Sequence, residues 1–195
     1  MTSDQPAADA PNPDHEWKLI IGGDRPAGGA GTYDVINPAT EEVVGRAPEA
    51  TTAQAADAAA AAAEAFDAWA RTTPEHRCEL LNRAAELLDA HADELVPLVQ
   101  AETGATMRVA KSMQVPQASA RFRRYAEGAK EPTVTPLRPQ TVPATALAPG
   151  GVISAIANRA PVGVVTAISS YNFPVVNMAG KVAPALAMGN TVIMK

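Results

Sequence analysis

This 195-residue chain contains a single cysteine, Cys78, only three histidines, and 4% aromatic residues. One thiol excludes an internal disulfide framework and any multi-thiolate metal site. His15, His76 and His91 show neither H-x-x-H nor H-E-x-x-H spacing, so the histidines offer no metal motif. No run of 18 uninterrupted apolar residues is present, which excludes a hydrophobic membrane-spanning helix. The opening stretch MTSDQPAADAPNPDHEW lacks the basic and apolar segments of a secretory signal. The expectation is a soluble, cytoplasmic protein. A net charge of −5 and a pI near 5.2 argue against nucleic acid or an anionic membrane as partner.

Hydrophobic residues make up 47% of the chain, but 42 residues are alanine. Such a chain builds helices readily and buries little area per residue. The charge is unevenly spread. All 21 acidic residues lie at or before Glu131, whereas residues 132–195 carry only Arg138, Arg159, Lys181 and Lys195. Net charge is therefore −9 before residue 132 and +4 after it. The last 35 residues or so are rich in Val, Ala and Ile, as in a parallel sheet buried on both faces. Two lysines in such a segment either reach solvent along their stems or meet partners on a ligand or on other chain.

The local signals suggest an order of elements. Residues 1–16 are rich in Ala, Pro and Asp and read as a disordered tail. Short strands are expected at 17–21, 32–36 and 42–46, with turns at Gly22-Gly23 and Asn37-Pro38. Thr51 and Gln54 form a capping-box pattern ahead of an Ala-rich helix, whose face is expected at Ala56, Ala59, Ala63, Phe66 and Ala70. Thr72 and Glu75 open a second helix with Cys78, Leu81, Ala85, Leu88, Ala92 and Leu95 inward and Gly104 as its stop. A third helix over 105–127 should be interrupted by Pro116. The Pro-rich stretch 132–143 reads as extended, and 145–148 with 152–158 as a β-hairpin. A strand at 162–168, a helix at 174–188 and a strand at 191–194 complete a β-α-β unit with parallel strands. The fold class is α/β. It is the start of a doubly wound, Rossmann-like parallel sheet, preceded by a helical N-terminal region and a β-hairpin arm. Two parallel strands cannot bury both sheet faces, so an incomplete fold is expected.

Most motif candidates favour plain structural roles. Cys78 sits on an apolar helix stripe without a histidine partner and reads as a buried structural thiol. Arg121, Arg123 and Arg124 read as a solvated face or subunit contact, and His76 and His91 as solvated residues of one helix. Gly22-Gly23 and Gly28-Gly29 lack the strand-before, helix-after setting of a dinucleotide loop. The junction after the first strand of the β-α-β unit differs from these. It reads Ile168, Ser169, Ser170, Tyr171, Asn172, Phe173, Pro174, at the strand end where doubly wound sheets bind ligands. It is not G-x-G-x-x-G, so a pyrophosphate cradle is not expected there. Asn172 offers a neutral amide donor suited to a developing oxyanion, or else caps the following helix. Lys195 ends the second strand on the same edge and is placed to donate to ribose hydroxyls.

Residues 161–174, PVGVVTAISSYNFP, followed by 181–195, KVAPALAMGNTVIMK, resemble the cofactor-domain signature of the NAD(P)-dependent aldehyde dehydrogenase superfamily. Upstream, Asn37-Pro38-Ala39-Thr40, the Phe66–Trp69 helix end, the Arg77 helix and Glu102-Thr103-Gly104 follow in the same order. The resemblance covers roughly 17–195. It implies a cysteine thiolate attacking an aldehyde to give a thiohemiacetal, hydride passing to NAD or NADP, and a glutamate-activated water hydrolysing the thioester. It implies that Asn172 is the side-chain donor of the oxyanion hole. Ile168, Ser169, Ser170 and Tyr171 would form the wall along the cofactor, and Lys195 would bind the adenosine ribose. Lys181 would be a buried lysine near the deacylation machinery, and the hairpin an arm for assembly into a homodimer or homotetramer. The implied division is 1–16 tail, 17–131 N-terminal strands and helices of the cofactor domain, 132–160 arm, and 161–195 first β-α-β unit.

The family commonly has Pro and Trp where this chain has Ser170 and Tyr171. The implied nucleophile and base find no match here, since Cys78 lies in the wrong segment. Three readings follow: the N-terminal part of an aldehyde-oxidising enzyme, a non-catalytic product docking on intact subunits, or part of a CoA-acylating or reductive member. The substrate class is a small-molecule aldehyde.

Overall fold

The computed structural model describes residues 14–195; the expected tail falls mostly outside them. Strands β1 (Gly31–Ile36) and β2 (Val43–Glu49) form an antiparallel pair. The expected strand at 17–21 is reduced to one bridge between Ile21 and Asp24 around Gly22-Gly23. Helix α1 (Thr52–Ala70) opens on the capping box: Gln54 N donates to Thr51 Oγ1 and Thr51 N to Gln54 Oε1, both at 3.1 Å. The half-buried face of α1 runs through Ala58, Ala61, Ala62, Phe66, Trp69 and Ala70, while Ala56, Ala59 and Ala63 are exposed. A helix that carries methyl groups on every side has no strong periodicity, so its docking partner decides the phase. Here Thr191 Oγ1 donates to Ala62 O at 2.7 Å.

Helix α2 (Pro74–Ala90) is capped by Thr73, not Thr72, its hydroxyl accepting from His76 N. The Thr72 hydroxyl instead turns back to Trp69 O. The run expected to be one helix breaks at His91, where φ −101° and ψ 18° leave the helical region, and α3 (Ala92–Thr103) follows. Gly104 ends α3 with φ +63°, and a Cβ there would lie 2.7 Å from Pro38 Cγ. The Glu102-Thr103-Gly104 and Asn37-Pro38 motifs are thus neighbours in space. Gly104→Val should lose about 2 kcal/mol from left-handed strain and this clash, read as a lower urea midpoint.

A short helix α4 (Met107–Val109) runs through a π-helical turn (Ala110–Gln114) into α5 (Val115–Gly128), with Pro116 in its first turn. This is the interruption expected at Pro116, since proline is tolerated at a helix start and not inside one.

The main core joins α2, α5 and α6 (Pro174–Ala187) through Leu81, Ala85, Ala118, Phe122, Ala126, Ala179 and Ala183. Alanine seams let the helices approach closely, which is where the alanine-rich composition is used. Arg77 is buried and ties the end of α6 to the α1–α2 link: its Nε donates to Ala187 O at 2.9 Å and its Nη1 to Thr72 O and Oγ1. Burial draws its guanidinium below its ordinary pKa. The arginine cluster divides three ways. Arg121 lies across Gly180 and donates to Val176 O, Arg123 pairs with Asp89, and Arg124 is exposed. A Cβ at Gly180 would meet the end of the Arg121 side chain, which would have to swing aside.

The hairpin is built differently from the sequence expectation. Strand β3 (Val134–Pro136) pairs with β6 (Ile156–Asn158), and β4 (Gln140–Val142) with β5 (Gly151–Ile153). Its first side is the Pro-rich stretch, whereas 145–148 forms the tip. Paired edges need only alternate donors, so proline fits in two-stranded ribbons. Finally β7 (Val164–Ala167) and β8 (Thr191–Met194) pair in parallel around α6. No helix among the described residues is long and apolar enough to cross a membrane.

Candidate active site

The carboxyl ends of β7 and β8 are zipped up to the last residue. Lys195 N donates to Ala167 O at 2.9 Å and Ser169 N to Lys195 O at 2.7 Å. This ladder places Ser169, Ser170 and Tyr171 on the edge that carries Lys195. Along β7 the side chains alternate, with Val165 and Ala167 turned inward and Ile168 outward. Ile168 is 64% exposed and Tyr171 91%, so the edge presents an open apolar and aromatic surface.

Asn172 follows in an exposed turn and makes no hydrogen bond among the described residues. It does not cap α6. The N-cap is Phe173, which has no side-chain bond to the helix. Pro174 removes one of the donors that a phosphate would need at this terminus. What the turn offers is a free primary amide, which suits a neutral oxygen gaining charge better than a phosphate.

Lys195 and Lys181 are both exposed, and neither forms an ion pair among the described residues. For Lys181 this corrects the expectation of a buried lysine: its helix face is open here, and its stem carries the ammonium to water. Cys78 is buried between α2 and α5, with Asn82 Nδ2 at 3.5 Å and Glu127 Oε1 at 3.8 Å from its sulfur. The hydrogen bond from Lys130 holds the Glu127 carboxyl below its usual range. Among the described residues no cluster of three or more His, Cys, Asp or Glu side chains could hold a metal.

Two further asparagines organise this region: Asn190, which with Gly189 reads from sequence as the cap and turn after the helix, and Asn177, which sequence reasoning passes over. Asn190 is buried, with its Oδ1 accepting from Val162 N at 2.7 Å and Gly163 N at 3.1 Å, and its Nδ2 donating to Ala185 O. It thereby joins the entry of β7 to the exit of α6. Asn177, in the first turns of α6, donates from Nδ2 to Ser170 Oγ at 2.7 Å. The available signal was an asparagine inside a helix, where its propensity is poor.

The model of the aldehyde dehydrogenase family matches residues 26–195. The chain belongs to the aldehyde dehydrogenase family. Phenylacetaldehyde dehydrogenase of Pseudomonas fluorescens is 39% identical over 199 residues, covering 100% of this chain and 38% of that protein. Human 2-aminomuconic semialdehyde dehydrogenase is 33% identical, covering 83% of this chain and 31% of its own length. Among solved structures, aldehyde dehydrogenase C of Pseudomonas syringae, complexed with NAD+ and octanal, superposes with a TM-score of 0.79 at 31% identity. That match covers 94% of this chain and 35% of the other. Betaine aldehyde dehydrogenase of Staphylococcus aureus, in complex with NAD+, gives 0.80 at 27% identity over 92% of this chain and 34% of that one. The chain therefore spans 31% to 38% of the length of these relatives.

Proposed function

We propose that this chain supplies the cofactor-facing edge and the carbonyl-oxygen donor for NAD(P)-dependent oxidation of a small-molecule aldehyde to a carboxylic acid. The observation that carries this reading is the unpartnered Asn172 amide, held beyond the same parallel strand ends that present Lys195. The residues present fit part of a dinucleotide. The Lys195 ammonium is exposed at the strand end where ribose hydroxyls would be met, and Ile168, Ser169, Ser170 and Tyr171 form an open wall beside it. No glycine-rich phosphate turn lies at this edge. Bound there, NAD or NADP would supply the hydride acceptor.

Asn172 Nδ2 donates to the substrate oxygen, and the bond strengthens as that oxygen takes on negative charge during attack at carbon. Because the amide is neutral, it stabilises the charge without giving up a proton. The attacking thiolate and the base for hydrolysis are roles this edge leaves to groups outside it, as Cys78 is buried against α5. The relatives' names support the aldehyde-oxidising reading over the docking product or the CoA-acylating member. The exposed apolar residues of the hairpin, Leu147, Val152 and Ile156 among them, suit burial between subunits of a homodimer or homotetramer. The composition fits a cytoplasmic location.

On its own, the 195-residue chain should form no NADH or NADPH from an aldehyde above blank, and Cys78→Ser should change nothing. Substrate-dependent absorbance of the reduced nicotinamide that vanishes in Cys78→Ser would overturn this reading.

A further inference from the structure

We infer that Asn177 is a positioning residue for Asn172, acting through its hydrogen bond to Ser170. The inference rests on the reading of Asn172 as the carbonyl-oxygen donor. The turn that carries Asn172 is tied down at its two ends only by backbone: Ser169 N donates to Lys195 O, and Asn177 N donates to Phe173 O as the first bond of α6. Between these anchors Ser170, Tyr171 and Asn172 are all exposed, so packing does not hold the middle of the turn. The bond from Asn177 Nδ2 to Ser170 Oγ, at 2.7 Å, is the one side-chain hydrogen bond between turn and helix among the described residues.

It reaches back seven residues, across a helix start with no side-chain cap and with proline as its first residue. Such a terminus frays unless something holds it. An asparagine in a helix ordinarily competes with the helix by bonding to nearby backbone. Here its amide is engaged by Ser170, which removes that competition and fixes the chain on the near side of Asn172. An oxyanion donor is effective only when its direction is set before charge develops. The latch sets that direction from the helix, the rigid element nearest to the amide.

The test is amide hydrogen exchange on the 195-residue chain, read by mass spectrometry over residues 169–177, where Ser169 N and Asn177 N make the backbone bonds that anchor the turn. Ser170→Ala and Asn177→Ala should each speed exchange there about five-fold, the loss of one hydrogen bond. The double variant should add little to either. Ser170 is exposed, so Ser170→Ala cannot fail by unfolding the core. Ser170→Thr, which retains the hydroxyl acceptor, should restore wild-type exchange; a merely structural loss of packing would not be rescued this way. Unchanged exchange in both single variants, additive effects, or no rescue by threonine would each overturn the inference. Failure of the underlying reading is seen separately, as undiminished turnover in a complete enzyme carrying Asn172→Ala.

Discussion

Replacing Asn190 by leucine, a side chain of similar size, is expected to destabilise the chain by about 3 kcal/mol. The asparagine sits where the exit of α6 and the entry of β7 are both within reach, and it is 6% exposed. Its Oδ1 accepts from two successive amides, Val162 N and Gly163 N. Its Nδ2 donates to Ala185 O, which also receives Asn190 N. Leucine keeps the volume but leaves the two amides without an acceptor and turns an apolar group toward them. The carbonyl retains one donor, so the cost comes mainly from the amides. In a chain of this size the loss corresponds to a fall of about 10 °C in Tm. Thr191→Val, which removes only the hydroxyl bond to Ala62 O, should cost about 1 kcal/mol and provides the scale. Thermal unfolding followed by circular dichroism reads both. If the leucine variant melts with the valine variant, Asn190 does not hold the β-α-β unit together.

The elements with strong local chemistry were legible before any coordinates. The capping box at Thr51 and Gln54, the glycine stop at Gly104 and the interruption at Pro116 depend on contacts within a few residues, and all are present, as is the β-α-β unit that the strand-helix-strand pattern announced. Positions set by long-range partners were not. The face of α1 is decided by Thr191 docking 129 residues away, which an alanine repeat cannot announce. The hairpin differs because the extended Pro-rich stretch 132–143 itself supplies the pairing strands, and ribbon edges tolerate proline. For the cap of α2, Thr72 and Thr73 offer the same hydroxyl, and geometry alone separates them.

At the carboxyl ends of β7 and β8, sequence pattern pointed to the turn and the strand end as candidates, because ligands favour that end of a parallel sheet. The second asparagine was invisible to it. Asn177 has meaning only once Ser170 lies within hydrogen-bond distance, and Asn190 only once β7 returns alongside the end of α6. The open face of Lys181 likewise depends on what packs over α6, and the described residues leave it exposed.

The most direct test of the account is turnover with and without the Asn172 amide, in a chimera in which this chain replaces the matching segment of Pseudomonas fluorescens phenylacetaldehyde dehydrogenase. The wild-type chimera should oxidise phenylacetaldehyde. Asn172→Ala should then reduce kcat by about 10²–10³-fold, the cost of removing one oxyanion donor. KM for NAD+ should stay nearly constant, because the amide lies at the turn beyond the strand end and not at Lys195. A variant that keeps kcat within about two-fold of the parent, below the 10²-fold scale of a lost donor, would contradict the account.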